Sequence, residues 1–171
     1  MTTLSTHRDL LLHELRDMYD AEHQIVDALP RMSAMATSPD VKTAFDEHQV
    51  QTEEQIRRLE EVFALLDEKL AREPCPGIEG IITEGMKTVR GKDVAGAVRD
   101  TALLASARRV EHYEMAAYAG AWLLAQTLKL HDVANALEQT RGEEEETDGR
   151  LERLAMKTAD LSAGNSAGIV S

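Results

Sequence analysis

Six side chains in this sequence have the type and spacing to bind a metal: Glu22, His48, Glu111, Glu114, Glu144 and Asp148. Carboxylate oxygens joined by an imidazole nitrogen suit iron or manganese. The most informative stretch is VEHYEMAAY, residues 110–118, which carries Glu111 and Glu114 three residues apart inside an apolar, helix-forming region. Residues at that spacing share a helix face. Taken alone, the pair has two readings: a solvated stripe, or a polar patch turned into the core.

The other helices bear on that choice. Steps of three and four residues trace one inward stripe along each long helical segment. The first stripe is Leu11, Leu15, Met18, Glu22, Ile25 and Leu29. The second runs Val41, Phe45, His48, Thr52, Gln55, Leu59, Val62 and Leu66. The third runs Leu103, Ala107, Val110, Glu114, Ala117, Ala121, Leu124 and Leu128, and the fourth Leu137, Thr140, Glu144, Thr147, Leu151 and Leu154. Every stripe is apolar at its ends and polar near its centre. In an antiparallel bundle the centres lie at one height, so the interruptions stack into a polar layer, which Glu111 reaches from one turn before Glu114.

A single glutamate on a helix ordinarily faces water. Coincident interruptions on four helices favour a buried layer. An unpaired buried carboxylate costs several kcal/mol, and neighbouring carboxylates repel each other. No Lys or Arg falls on the stripes to compensate. Shared protons, water or metal cations remain, and two divalent ions would balance four carboxylates.

The elements that must position these residues follow from the chain's punctuation. One helix is expected from about Thr6 to Ala36, with a kink at Pro30. Ser38 and Pro39 are start signals for a second, ending near Glu68. The segment REPCPGIEG breaks the pattern, and a short helix is expected over about Ile78–Val89. Asp93 is the expected cap of a third long helix reaching about Lys129, and Asp132 that of a fourth reaching about Leu161. Two helix pairs joined by a crossover of about 25 residues predict an all-α, ferritin-like four-helix bundle. Residues 1–161 are expected to form this single domain, with 162–171 a flexible tail.

The bulk composition agrees. The chain has 171 residues, 43% hydrophobic and only 4% aromatic, with few prolines and glycines. A formal net charge of −12 disfavours nucleic acid as a partner and favours cations. No apolar run reaches membrane-spanning length, and the polar N-terminus lacks a secretory signal, so a cytoplasmic protein without a membrane partner is expected. The single cysteine, Cys75, excludes an intrachain disulfide framework. His112 and Tyr113 are expected outward or beside the layer. Tyr19 and Tyr118 are candidates to hydrogen-bond its carboxylates.

The segments LLLHELRDMYDAEHQIVDALPRM, AFDEHQVQTEEQIRRLEEVF, PCPGIEGIITEG, AVRDTALLASARRVEHYEMAAYA and LEQTRGEEEETDGRLERLA resemble, in matching order, the YciE/YciF family of ferritin-like bacterial stress proteins. The resemblance implies a ferritin-like bundle, a homodimer, a role in stress response and a dimetal site. It places Glu22 at the usual glutamate of the first helix, and Glu111 with Glu114 at a rubrerythrin-like pair of the third. The wider superfamily carries Glu-x-x-His on the second and fourth helices. The matching positions here are Thr52-x-x-Gln55 and Glu144-x-x-Thr147, with His48 one turn before Thr52. A site so poor in nitrogen ligands is expected to hold its metal weakly, at partial occupancy, or to hold one ion.

Two functions are therefore carried forward. One is a di-iron or di-manganese centre held by Glu22, Glu111, Glu114 and Glu144, with His48 and Asp148 as lesser candidates, serving peroxide or oxygen chemistry. The other is a non-enzymatic, dimeric structural module with a metal-free polar core. A redox sensor at Cys75 is a weaker third.

Overall fold

The computed structural model of the chain describes residues 4–91 and 94–166. They form five helices: α1 (His7–Met35), α2 (Pro39–Leu65), α3 (Pro76–Val89), α4 (Gly96–Thr127) and α5 (His131–Ser166). No strand occurs among the described residues, and no helix there is long and apolar enough to cross a membrane.

Local chemistry sets the helix ends. Thr6 caps α1: its hydroxyl accepts from the Asp9 N–H, while the Asp9 carboxylate accepts from the Thr6 N–H. The helix continues through Pro30 to Met35, with the proline on the exposed face. Ser38 and Pro39 start α2 as expected, but the Ser38 hydroxyl makes no capping bond. The acceptor comes from α4 instead. Asp100 takes hydrogen bonds from the Thr37 N–H at 2.7 Å, the Thr37 hydroxyl at 2.7 Å and the Ser38 N–H at 2.8 Å. Asp100 is buried. Asp100→Ala would strand these donors and should cost at least about 1–3 kcal/mol in chemical unfolding; an unchanged midpoint would show that water replaces the carboxylate.

The third long helix was expected to be capped by Asp93, which lies outside the described residues. Asp132 is not the cap of the fourth: α5 begins at His131, placing Asp132 within the first turn, where its charge still favours the helix N-terminus. The helix runs past the expected Leu161 to Ser166.

Cross-helix bonds give the directions. Ser33 meets Asp46 and Tyr19 meets Glu60, so α1 and α2 are antiparallel. Gln51 meets Thr147, and Lys157 meets Asp40, so α2 and α5 are antiparallel too. Thr37 meets Asp100 and Asp17 meets Tyr113, which sets α1 against α4 in the same sense. Hence α2 and α4 run parallel, and the chain between them must return the full length of the bundle. The link that does so carries α3 along α1 and α4. This is the long crossover of a ferritin-like bundle.

The apolar interior has two parts. Leu11, Leu15, Leu59, Phe63, Ala125 and Leu137 belong to the cluster toward one end. Ile25, Leu29, Phe45, Leu103, Val110 and Leu151 belong to the cluster toward the other. Along every long helix the residues between the two clusters are polar and buried: Glu22, then His48, Thr52 and Gln55, then Glu111 and Glu114, then Glu144 and Thr147. The expected polar layer thus divides the core.

Candidate metal centre

The long helices deliver their polar side chains to one place because each interruption sits at mid-helix. His48, Glu111, Glu114 and Glu144 each offer a ligand atom, and these atoms lie within 4.8 Å of one another. The imidazole comes from α2, two carboxylates from α4 and one from α5. Glu22 of α1 stands against Glu114, and one of its oxygens accepts from the Tyr118 hydroxyl. His48 Nε2 lies 3.5 Å from Glu111 Oε1.

Burial dominates the electrostatics. It pushes Glu22, Glu111 and Glu114 well above the usual carboxylate range, and the charges of their neighbours push Glu111 and Glu114 further. Burial also raises Glu144, to about 7. The Gln55 amide and the nearby Arg58 charge act against that rise. His48 moves the other way, down to about 4, because burial disfavours its cation. At neutral pH its ring is uncharged, the form that can ligate.

Hydrogen bonding leaves the layer unfinished. Both Glu111 oxygens, Oε2 of Glu22, Glu114 and Glu144, and both His48 ring nitrogens are buried with no conventional donor–acceptor partner in the protein; what faces the carboxyls is chiefly one another. Buried polar groups are nearly always paired, so several orphans converging on one point mark a place for a further species. The carboxyl oxygens, once deprotonated, and the unprotonated ring nitrogen of His48 are potential ligand atoms.

Asp148 is not brought into this group. Arg108 binds its two oxygens at 2.7 and 3.1 Å and holds its carboxyl below the usual range. It lies one turn beyond Glu144 on nearly the same face, but there a guanidinium claims it. His112 is exposed and reaches Asp148 at 3.5 Å. Tyr118 hydrogen-bonds a layer carboxylate as expected; Tyr19 donates instead to Glu60 at 2.9 Å. Cys75 is buried, its thiol raised by burial and set 3.2 Å from the Tyr113 hydroxyl, which weighs against a reactive thiolate and hence a redox sensor.

The inward stripes alone miss Arg58 and Glu143. Arg58 binds both Glu143 oxygens at 2.8 and 2.9 Å and donates to Thr140 at 2.7 Å. Gln55 joins this pair to the layer, donating to Glu143 at 3.2 Å and also to Glu144. A signal was present: Arg58 is three residues beyond Gln55, on the same face, and a long side chain reaches back from one position off the stripe.

Comparison with known proteins agrees with this architecture. Residues 6–164 match the family model described as Domain of unknown function (DUF892). The chain is 34% identical to protein YciF of Escherichia coli over 165 residues, covering 96% of this chain and 99% of that one. The crystal structure of that protein, described as a stress protein, superposes with a TM-score of 0.88 over 92% of this chain and 99% of that one. YcfI from Rhodopseudomonas palustris, whose description proposes a structural role, is 39% identical with a TM-score of 0.84, over 87% of this chain and 94% of that one. A Xanthomonas campestris protein at 17% identity and TM-score 0.73, covering 94% and 98%, shares the fold.

Proposed function

The chain belongs to the DUF892 family, and from that premise and the unfinished polar layer we propose that it binds divalent iron or manganese at the centre of the bundle. Glu22, His48, Glu111, Glu114 and Glu144 would hold the metal. The observation that carries this reading is the set of buried orphan atoms on these five residues. The donors fit: oxygens in majority with one neutral imidazole suit iron or manganese, and four carboxylates match the charge of two divalent ions. Such a centre supplies redox chemistry toward oxygen or peroxide.

The chain's own residues have definable roles. Tyr118 donates to Glu22 and keeps its proton, since burial raises its pKa far above neutral. It therefore fixes which Glu22 oxygen faces the layer. Gln55 does the same for Glu144, leaving Oε2 free. Arg58, locked to Glu143, lends positive charge to that side without occupying a ligand position. The apolar clusters at both ends keep bulk water from the layer.

Protein purified without chelator should contain iron or manganese, and Glu114→Ala should lose most of it. Even an outer partner of a metal ligand is commonly worth 10- to 100-fold in affinity, so loss of a direct ligand should exceed about tenfold. Equal and negligible metal in both proteins would sink the reading. It would instead favour a metal-free structural module. One observation supports that second reading: Thr52 and Gln55 stand where the superfamily offers Glu and His, and Gln55 already partly satisfies Glu144.

A further inference from the structure

Resting on that reading of the centre, we propose that the apolar cleft beside His48 is where dioxygen reaches the metal. The cleft is lined by Ile25 and Leu29 of α1 and by Ala107 and Val110 of α4. Ile82 of α3 and His48 of α2 also line it, Ile82 half-buried and His48 buried. Seven of its eight lining side chains are apolar, His48 being the exception, and it holds about 10 Å³ of free space, roughly the room one water-sized molecule takes. A buried water needs two to four polar partners, and His48 is the one polar residue in this lining, so the space stays dry and suits a small apolar molecule.

The opposite side of His48 is different in kind. There a second small cleft is lined by Gln51, Thr147 and Arg150 as well as Ala44 and Leu151. Those groups can hydrogen-bond an ion, water or peroxide. Of these two clefts, the one on the α1–α3–α4 side favours an uncharged molecule without hydrogen-bonding needs. Dioxygen fits its chemistry.

The crossover helix acquires a purpose from this placement. It is not one of the four bundle helices, yet it packs on α1 and α4 at the height of the layer. Its approach is close: a Cβ on Gly85 would stand 1.8 Å from the Ser106 hydroxyl oxygen, so glycine is what lets α3 sit down on α4. That seat puts the half-buried Ile82 over the cleft.

Two measurements test the proposal, the first without metal. Crystals of metal-free protein pressurised with xenon should show xenon between Ile25 and Val110, and Ile82→Trp should abolish it. No xenon there in the wild type overturns the proposal. In the second, protein loaded with Fe(II) anaerobically is mixed with nitric oxide, a small uncharged probe. Ile82→Trp should bind nitric oxide at least tenfold more slowly at unchanged iron stoichiometry. Ile82→Phe, a smaller insertion, should fall between, which guards against a tryptophan variant that fails to fold. Iron uptake with equal nitric oxide rates in all three overturns this proposal alone. A wild type that takes up no iron overturns the metal reading and this proposal with it.

Discussion

Raising the pH of the metal-free protein from about 6.5 to about 8 should destabilise it, and iron or manganese should cancel or invert that slope. The sign follows from burial. Glu22, Glu111 and Glu114 have folded-state pKa values well above the ordinary 4.5, and Glu144 has one of about 7. The folded chain therefore holds protons that the unfolded chain has already released. The stability this contributes is fully present below the unfolded value and is lost as pH rises through the folded values. Each proton retained adds a slope of about 1.4 kcal/mol per pH unit.

His48 acts oppositely, because its folded value is depressed to about 4 from 6.5. Its contribution is lost as pH falls below 6.5, so the interval above that value reports the carboxylates without it. Asp20, Glu143 and Asp148 have lowered values and titrate well below this interval. Metal ligation requires the deprotonated carboxylates, so saturating ion should stabilise more at pH 8 than at 6.5. At one hundred times Kd the gain is about 2.7 kcal/mol. Urea unfolding at several pH values, with and without Mn(II), measures both effects. A flat profile without metal would mean that the layer is hydrated and its carboxylates ordinary.

Much of this was legible in the sequence, for reasons that vary by residue. The layer could be read because helical periodicity is local: Glu22, His48, Glu114 and Glu144 each interrupt a stripe visible within one helix. The crossover could be read because proline and glycine punctuate it. What escaped depends on contacts between distant segments. Asp100 looks like an ordinary residue near the start of α4, yet its partners are Thr37 and Ser38 across the bundle. Asp20 likewise ties the crossover to α1 by accepting from Arg72 and from the Cys75 N–H. For Asp148, a lesser candidate by sequence, spacing gives its face but not its competitor, Arg108. Ile82 carries no sequence signal, since its place over His48 depends on how α3 docks.

Replacing Glu111 by leucine should strengthen the metal-free fold and abolish its response to metal. Glu111 is fully buried, neither oxygen has a conventional donor, and the neighbouring Glu144 and Glu22 raise its pKa further. Exchange of a whole buried ion pair for well-packed apolar side chains is often neutral or stabilising by about 1–4 kcal/mol, and a buried carboxyl without a compensating cation has less to lose. The gain should be greatest near pH 8 and shrink toward pH 5, where the carboxyl is neutral and less costly to bury. Glu143→Leu provides the contrast. It removes a carboxylate too, but one held by Arg58, and its loss leaves a largely buried guanidinium without its partner. That variant should be destabilised at both pH values, so removing negative charge is not enough by itself. A layer whose members weaken the empty fold one by one, while converging on a single point, is what a cation-binding centre requires. If Glu111→Leu instead destabilised the metal-free protein as strongly as Glu143→Leu, Glu111 would be a structural hydrogen-bonding group, and the argument from its orphan oxygens would fail.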